Sequence, residues 1–437
     1  MKQKTALDIL KMGHNVFLTG PAGSGKTYLL KQYIEYLKKN GVGVAVTAST
    51  GIAATHMNGQ TIHSWSGMGI SDKFTEEDYK RLKSRHYHKQ RFTRASVLII
   101  DEVSMLHAHQ LDIVNEICKK FKEPFSPFGG LQVILCGDFF QLPPVTQSEK
   151  QASFVVESAA WEEMAPKICY LGEQHRQEDK QMLKILNDIR NKACDQKTLD
   201  LILSRKDKEI ENIITPTKLY THNANVDAIN SLELKKIKEE ARIFEMTSKG
   251  NDFVVSAIKK GCLAPETLFL KRGAVVMFVK NNFERGYVNG TLGVVTDFDH
   301  AGVPIVKTVS GKTIIATPEK WLIEDGETAL ATIAQVPLRL AWAITVHKSQ
   351  GMTLDAVEMD LSKSFEYGMG YVALSRVRTL DGIKLIGINK RALEVNPKVY
   401  ELDKILQQLS HDNESYVLKM KILKKRELQK TFLENCV

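Results

Sequence analysis

A glycine-rich stretch near the start of the 437-residue chain has the residue types and spacing of a phosphate-binding loop. Residues 20–27 read GPAGSGKT and fit the pattern G-x-x-x-x-G-K-[ST]. An apolar strand pattern at 15–19 leads into the loop and a helical pattern at 28–34 leaves it, although a chance match in a glycine turn is the alternative. The stretch predicts a nucleoside triphosphate site, with contacts from Gly20, Ala22, Gly23, Ser24, Gly25, Lys26, Thr27 and Tyr28.

The roles within this loop follow from the chemistry of its residues. Gly23 and Gly25 let backbone N–H groups turn towards the phosphates. Lys26 places a cation between the outer two phosphates, and the Thr27 hydroxyl can ligate Mg²⁺. The loop alone therefore predicts nucleotide binding but leaves open how the energy of the nucleotide is used.

Two acids follow a strand that is predicted to be buried. The apolar run at 97–100 is typical of a strand buried on both faces of a parallel sheet, and it ends in Asp101 and Glu102. We expect Asp101 to hold Mg²⁺, directly or through water, and Glu102 to polarise the attacking water. Another buried strand at 131–136 precedes Gln141, which can sense the terminal phosphate. The alternative is that the two acids merely end a strand.

Arg176 and Arg376 lie in the second half of the chain, far in sequence from the loop. If the two halves face each other across the nucleotide, either guanidinium can stabilise the charge of the transition state. For any single arginine, a role at the protein surface is the common alternative. At the N-terminus, the short predicted helix at 3–10 places Gln3 near the nucleotide base.

Composition places the chain among soluble globular proteins of about three domains. It is 43% hydrophobic and 25% charged, and it has neither an apolar run long enough for a membrane span nor a secretory signal, so we expect an intracellular protein. The six cysteines form no C-x-x-C pair and are expected to be reduced packing residues. The net charge of +9 suits a polyanionic partner, although a lysine-rich surface gives the same value.

The elements that must position these residues alternate between strands and helices, with two interruptions. Residues 61–95 break the alternation and contain a basic run from Lys80 to Arg94 with interleaved aromatics, which predicts either contact with a nucleic-acid backbone or a solvated helix face. Residues 251–330 have short β-rich runs separated by turn signals, the pattern of a small inserted β-barrel or sandwich. From about residue 398 the pattern is helical and lysine-rich, without recognisable chemistry.

Ordered motifs over most of the chain resemble those of superfamily-one helicases of the petite-integration-frequency (PIF) family, with RecD-like enzymes as further relatives. The most specific is the segment 112–132, which ends in SPFGGLQ and is similar to the signature segment of the family. The others are GPAGSGKT from 20, LIIDEVSML from 98, GDFFQLPPV from 137, HRQ from 175, AWAITVHKSQGMTLD from 341 and YVALSRVRT from 371.

The resemblance implies roles at the matching positions. Gln3 corresponds to an adenine contact, Gln141 to the γ-phosphate sensor, Arg176 and Arg376 to the arginines supplied by the second motor domain, and Gly351 to a loop that closes near the nucleotide. Segments that line the single-strand track contain Thr50, His63, Ser64, Thr221, His222, Asn223, Thr345, His347 and Lys348. One departure is visible, because Ser49 stands where the family pattern A-P-T-G has proline.

The implied fold is α/β, with two RecA-like P-loop motor domains, a wedge insertion and an inserted SH3-like β-barrel. The expected division is 1–174 for the first motor domain with the wedge at about 61–92, 175–250 plus 331–395 for the second, 251–330 for the SH3-like domain and 396–437 for a helical tail.

The implied activity is ATP- and Mg²⁺-dependent unwinding of DNA in the 5′-to-3′ direction by a monomeric motor, although the direction cannot be derived from the residues. Expected partners are single-stranded DNA and single-strand/duplex junctions, with G-quadruplex DNA and RNA–DNA hybrids left open and no membrane. The location would be cytoplasmic and nucleoid-associated in a bacterium or phage, and nuclear or mitochondrial in a eukaryote. Two alternatives are a P-loop enzyme acting on a small molecule and a DNA-stimulated ATPase that remodels protein–DNA complexes without processive unwinding.

Overall fold

The computed structural model describes residues 1–69, 74–84, 86–144, 152–173, 179–210, 215–220, 226–282, 284–325 and 328–436. The helices are α1 (Gln3–Lys11), α2 (Lys26–Lys39), α3 (Gly51–His56), α4 (Ile62–Ser66), α5 (Glu76–Lys83), α6 (His86–Arg94), α7 (Ala108–Phe121), α8 (Ala159–Met164), α9 (Lys180–Arg190), α10 (Gln196–Leu203), α11 (Val226–Lys236), α12 (Asp252–Gly261), α13 (Met369–Ser375), α14 (Pro397–Lys419) and α15 (Ile422–Cys436). The strands are β1 (Val16–Thr19), β2 (Val44–Ala48), β3 (Gln60–Thr61), β4 (Val97–Asp101), β5 (Gln132–Cys136), β6 (Lys167–Tyr170), β7 (Thr217–Tyr220), β8 (Arg242–Glu245), β9 (Thr247–Gly250), β10 (Thr267–Leu270), β11 (Val275–Phe278), β12 (Leu292–Phe298), β13 (Pro304–Thr308), β14 (Thr313–Ile315), β15 (Glu319–Asp325), β16 (Thr328–Gln335), β17 (Leu338–Leu340), β18 (Ala343–Thr345), β19 (Val357–Leu361) and β20 (Ile383–Ile388).

A parallel sheet in the order β3-β2-β4-β5-β1-β6 forms the centre of the first α/β unit. Every residue of β1, β4 and β5 is buried, as expected for strands covered by helices on both faces. The carboxyl ends of parallel strands lie at one edge of a sheet. The loop after β1, the acids at the end of β4 and the segment after β5 therefore meet at this edge.

A second parallel sheet, in the order β18-β7-β19-β20, forms the centre of the second α/β unit. The segment 346–353 follows β18, and α13 lies between β19 and β20 in the chain. The predicted alternation of strands and helices is confirmed in both units, and two mixed α/β units with parallel sheets are consistent with RecA-like domains.

The strands β8 to β17, which lie between β7 and β18 in the chain, pair with one another in antiparallel sheets. β14-β13-β12-β11-β17 form one sheet, β15-β16-β9 a second and β10-β8 a third. The β-rich pattern predicted for 251–330 is present, and its pairing extends to strands on both sides, from residue 242 to residue 340. Strands that the sequence pattern assigned to the second motor domain therefore pair with strands of the inserted region.

The tail helix α14 covers β6, the edge strand of the first sheet. The Tyr170 N–H donates to Ser410 Oγ at 2.9 Å, and Asn413 Nδ2 donates to the Ile168 carbonyl at 3.2 Å. These bonds satisfy backbone groups that an open edge would leave available for other chains. Within the described residues, no helix has the length and apolar character needed to cross a membrane.

Candidate active site

A cavity of about 590 Å³ lies between the two α/β units. The first unit contributes the glycine-rich loop, Asp101, Glu102 and Gln141 to its walls. The second contributes the segment 347–353 and Arg376, and the β-rich region contributes Asn289. Residues separated by more than 300 positions in the chain therefore face one space.

The glycine-rich loop has a backbone that requires glycine. The φ angles of Gly20, Gly23 and Gly25 are +138°, +86° and +85°. Lys26 Nζ donates to the carbonyls of Gly20 at 2.8 Å and Pro21 at 3.1 Å, which holds the ammonium inside the loop. Gln3 donates from Nε2 to the Ser24 carbonyl at 3.4 Å, so it lies beside the loop, and its contact with a base stays a prediction.

The two acids lie next to each other at the end of β4, where Asp101 is buried and Glu102 is partly buried. The Glu102 N–H donates to Asp101 Oδ1 at 2.9 Å. Burial first, and then the charge of Asp101, raise the pKa of Glu102 to about 7, while Lys26 and Arg376 oppose the shift. Burial also raises the pKa of Asp101, against hydrogen bonds from Cys136 and the Glu102 backbone and the charge of Lys26. A carboxyl with a pKa near neutrality is suited to proton transfer with water.

Arg376 reaches the cleft from the carboxyl end of α13. It is only 1% exposed, and it donates from Nε to the Val372 carbonyl at 3.1 Å and from Nη2 to Ser375 Oγ at 2.8 Å. Burial lowers the pKa of this guanidinium and the charge of Glu102 opposes that shift. A buried cation fixed by its own helix is preorganised to meet an anion in the cleft.

Several buried polar atoms in the cleft have no hydrogen-bond partner. Among the described residues they include Ser24 Oγ, Glu102 Oε2, Gln141 Oε1 and Gln350 Nε2. Such atoms are costly to bury unless a ligand or water satisfies them. Together with the Lys26 ammonium and the loop N–H groups, they fit a triphosphate and its attacking water, and the oxygens of Thr27 and Asp101 are the type that Mg²⁺ prefers.

Not all predicted site residues lie within the described part of the chain. Arg176 and the segment Thr221, His222 and Asn223 fall outside it. Tyr28 is 61% exposed at the cleft, and Gly351 follows Gln350 with φ of +75°.

The predicted DNA-contacting residues that are described lie at or just after the carboxyl ends of β2, β3 and β18. Thr50 is the N-cap of α3, where its Oγ1 accepts from the Ala53 N–H at 3.3 Å. Burial lowers the pKa of both His63, on α4, and His347, after β18. Ser64 Oγ donates to Gln60 Oε1, Thr345 Oγ1 accepts from the Lys348 N–H, and Lys348 Nζ lies 3.9 Å from Asp227.

A buried network that the sequence reasoning missed joins the two units beside the cleft. Arg190, at the end of α9, is 5% exposed and donates from Nη1 to both carboxylate oxygens of Asp138 at 2.8 Å and to the Tyr371 hydroxyl at 3.1 Å. The Tyr371 hydroxyl also accepts from the Ala22 N–H at 3.1 Å. Asp138 and Tyr371 lie in the quoted motifs, but nothing in the sequence distinguishes Arg190 from a surface arginine.

His56 is a second functional candidate that the sequence did not indicate. Its Nε2 lies 2.9 Å from Asn289 Nδ2 in the β-rich region, and its ring faces Gly351, where a Cβ would lie 3.3 Å from it. Burial, with a smaller effect of Lys31, lowers the pKa of His56 to about 4. A neutral imidazole therefore connects the first α/β unit to the inserted region beside the cleft.

The fold and the site together define a P-loop nucleotide-binding protein with two RecA-like α/β units that share one cleft. Comparison with known proteins gives the family. Residues 2–199 match the model for PIF1-like helicases, and residues 254–298 match that for the 2B domain of the DNA helicase Pif1. The chain belongs to the PIF1-like helicase family.

Individual relatives agree with this assignment. The ATP-dependent DNA helicase Pif1 of Psychrobacter sp. is 45% identical over 94% of this chain and 71% of its own length. The structure of Bacteroides sp. Pif1 with ADP-AlF4 is 33% identical, covers 93% of this chain and 96% of that chain, and gives a TM-score of 0.80. Bacteroides Pif1 bound to ssDNA, 32% identical over 95% of this chain and 98% of that chain, gives 0.62. The overall structure of this chain is thus more similar to the ADP-AlF4 complex than to the ssDNA complex.

Proposed function

We propose that this chain is an ATP-dependent DNA helicase that moves 5′ to 3′ along single-stranded DNA and unwinds duplex DNA. The observation that carries the proposal is the cleft, in which the glycine-rich loop and acids of one unit face the buried Arg376 of the other. A nucleotide bound there contacts both units, so hydrolysis can change their separation. The names and complexes of the relatives agree with this activity.

Each residue has a defined task in hydrolysis. The loop N–H groups and Lys26 bind the phosphates, and Glu102 orients and polarises the attacking water. Thr27 and Asp101 would hold Mg²⁺, which neutralises phosphate charge when it is bound. Gln141 reports the terminal phosphate, Arg376 and Arg176 stabilise the charge that develops on it, and Gln3 contacts the base.

We propose that single-stranded DNA runs across the carboxyl ends of the strands in the two parallel sheets. Its contacts would be Thr50, His63, Ser64, Thr221, His222, Asn223, Thr345, His347 and Lys348. The wedge is assigned to about 61–92, the SH3-like domain to the β-rich insertion, the first motor domain to 1–174 and the second to the α/β parts within 175–395. The antiparallel pairing from 242 to 340 supports placing those flanking strands with the insertion.

Single-stranded DNA and single-strand/duplex junctions are the proposed partners of a monomeric motor. G-quadruplex DNA and RNA–DNA hybrids are left open as further partners, whose single-stranded flanks would use the same track. A second candidate function, a DNA-stimulated ATPase that remodels protein–DNA complexes without processive unwinding, would use the same cleft, so only an unwinding assay separates the two.

The test measures ATP hydrolysis with and without single-stranded DNA, and then unwinding of duplexes that carry a 5′ or a 3′ single-stranded tail. We expect strong stimulation by DNA and unwinding of the 5′-tailed substrate, with Lys26→Ala inactive in both assays. Absence of stimulation would contradict the motor, stimulation without unwinding would favour the remodelling ATPase, and unwinding of only the 3′-tailed substrate would refute the direction.

A further inference from the structure

Ser49 makes two hydrogen bonds that connect the turn at Thr50 with the backbone of the two acids. It follows β2 directly and precedes Thr50, the N-cap of α3. Its N–H donates to the Asp101 carbonyl at 3.0 Å, and its hydroxyl donates to the Glu102 carbonyl at 2.6 Å. A single side chain therefore lies between a predicted DNA contact and the residue that polarises water.

The acceptor of the hydroxyl bond has an unusual backbone. Glu102 has φ of 53° and ψ of 43°, the left-handed region that residues other than glycine, asparagine and aspartate rarely adopt. Such a conformation persists only where surrounding contacts hold it. The described contacts include the bond from the Glu102 N–H to Asp101 Oδ1 and the bond from Ser49 Oγ to the Glu102 carbonyl. The Glu102 carbonyl also accepts from the Met105 N–H at 3.2 Å, and Ser49 supplies the side-chain donor among the described contacts that hold this conformation.

The residue type at position 49 decides whether this connection exists. Serine supplies both an N–H and a hydroxyl donor. Proline, which the family pattern has at this position, supplies neither. The connection is therefore a property of this chain and not of the motif.

We propose that Ser49 is a positioning residue that transmits the state of the Thr50 turn to Glu102. A strand of DNA that shifts the Thr50 turn also shifts Ser49, because the two residues share a peptide bond. The two hydrogen bonds then move the Glu102 backbone and reorient its carboxylate towards the attacking water. The inference rests on the proposed function, and specifically on contact between the Thr50 turn and single-stranded DNA.

The test compares Ser49→Ala, which removes only the hydroxyl, with Ser49→Thr, which keeps it. The control is Thr47→Val, because the Thr47 hydroxyl makes the same kind of bond between the same two strands, to the Ile99 carbonyl at 2.6 Å. For each variant we would measure kcat for ATP hydrolysis without DNA and at saturating single-stranded DNA, the KM for ATP, the DNA concentration that gives half-maximal stimulation, and the Tm.

We expect Ser49→Ala to lower the ratio of DNA-stimulated to unstimulated kcat about fivefold, the effect of about one net hydrogen bond. Ser49→Thr should keep the wild-type ratio, and Thr47→Val should lower the Tm without changing the ratio. Ser49→Pro, which removes both donors, should lower the ratio at least as far as alanine does, and it provides a second variant if alanine folds poorly.

Three results would overturn the inference while leaving the proposed function intact. These are an unchanged ratio in Ser49→Ala and Ser49→Pro, an equal fall of kcat with and without DNA, and a rise only in the DNA concentration for half-maximal stimulation. A wild-type protein whose hydrolysis does not respond to DNA would instead overturn the proposed function, and this inference with it.

Discussion

At the residue scale, the groups that would act on ATP have opposite charges and lie close to one another, Asp101 and Arg376 buried and Lys26 and Glu102 partly buried. The charge of Asp101 adds to burial in raising the pKa of Glu102, while Lys26 and Arg376 oppose that shift, and Lys26 also opposes the raised pKa of Asp101. The Arg376 guanidinium is held by its own helix and so does not need to be ordered when nucleotide binds. Its charge therefore needs no reorganisation to stabilise the negative charge that develops on the phosphates in the transition state.

Replacing Arg376 with alanine should separate binding from chemistry. We expect kcat for ATP hydrolysis to fall by about 1,000-fold or more, because an arginine that contacts the transferred phosphoryl group provides an effect of that size. The affinity for a fluorescent ADP, measured by anisotropy, should change by less than about threefold.

A control for this variant is Arg378→Ala. Arg378 is half-exposed, pairs with Asp355 at 3.1 Å and lies two residues from Arg376. The loss of Arg378 should change kcat by less than about tenfold, because a charge exposed to water at the edge of the cleft contributes little. Normal hydrolysis in the Arg376 variant would show that Arg376 does not stabilise the charge of the transition state.

At the scale of elements, the network around Arg190 fixes α9 and α13 of the second unit against the first. The guanidinium also lies 4.1 Å from the centroid of the Phe140 ring, and its Nη2 donates to the Tyr170 hydroxyl at 2.9 Å and to Asp403 of α14 at 3.3 Å. The network includes the segment that carries Gln141, the helix that ends before Arg376 and the tail. It explains how a tail without recognisable chemistry contributes to the cleft.

Replacing Asp138 with asparagine should destabilise the protein strongly. The change leaves a buried guanidinium without its bidentate carboxylate, which costs about 3–5 kcal/mol of unfolding free energy. Urea denaturation followed by circular dichroism measures the loss. Asp412→Asn, on the exposed side of α14 where the carboxylate accepts from Gln408, is the control and should cost less than about 0.5 kcal/mol. Similar stabilities for the two variants would show that the network adds little.

The contact between α3 and α12 is a second relation between elements with a measurable consequence. Gly51 and Gly261 touch so closely that a Cβ on Gly261 would lie 2.6 Å from the Gly51 carbonyl oxygen. Gly261→Ala should therefore push the inserted region away from the first unit, at a cost of about 1–3 kcal/mol. Small-angle scattering should report a larger radius of gyration.

The matched control is Gly172→Ala, because no atom lies within 4 Å of the position of its Cβ. We expect that variant to keep both the wild-type radius of gyration and the wild-type stability. An unchanged radius in Gly261→Ala would mean that the helices adjust without moving the inserted region.

At the scale of the whole molecule, the net charge of +9 and the proposed track predict a steep salt dependence of DNA binding. Affinity for single-stranded DNA should fall with a log–log slope of about −0.7 for each phosphate that the protein neutralises. Lys348→Ala should make the slope shallower by about 0.7, measured by fluorescence anisotropy between roughly 50 and 200 mM salt. Lys384→Ala should leave the slope unchanged, because Lys384 on β20 is paired with Glu209 and with Glu358 on β19. Equal slopes in the two variants would remove Lys348 from the track.

The sequence by itself determined the parts of the site that local spacing encodes. The glycine-rich loop needs its glycines next to a strand and a helix, and the two acids need a buried strand before them, so both are visible over fewer than ten residues. The alternation of strands and helices and the antiparallel insertion were also predictable, because the burial of each face imposes a period on the sequence. The limits of the insertion were not, since β9 and β17 pair with strands distant in the chain.

Only the tertiary structure decided which distant groups meet. Arg376 reaches the cleft, Arg190 joins Asp138 to Tyr371, and Ser49 bonds to Glu102 because two sheets and the loops at their carboxyl ends pack together. Burial is the main cause of the raised pKa of Glu102, with the adjacent Asp101 adding to it, and burial makes Arg190 the centre of a hydrogen-bond network. Long-range packing leaves no periodic signal in the chain, and this is why the sequence indicated the chemistry while the fold determined its partners.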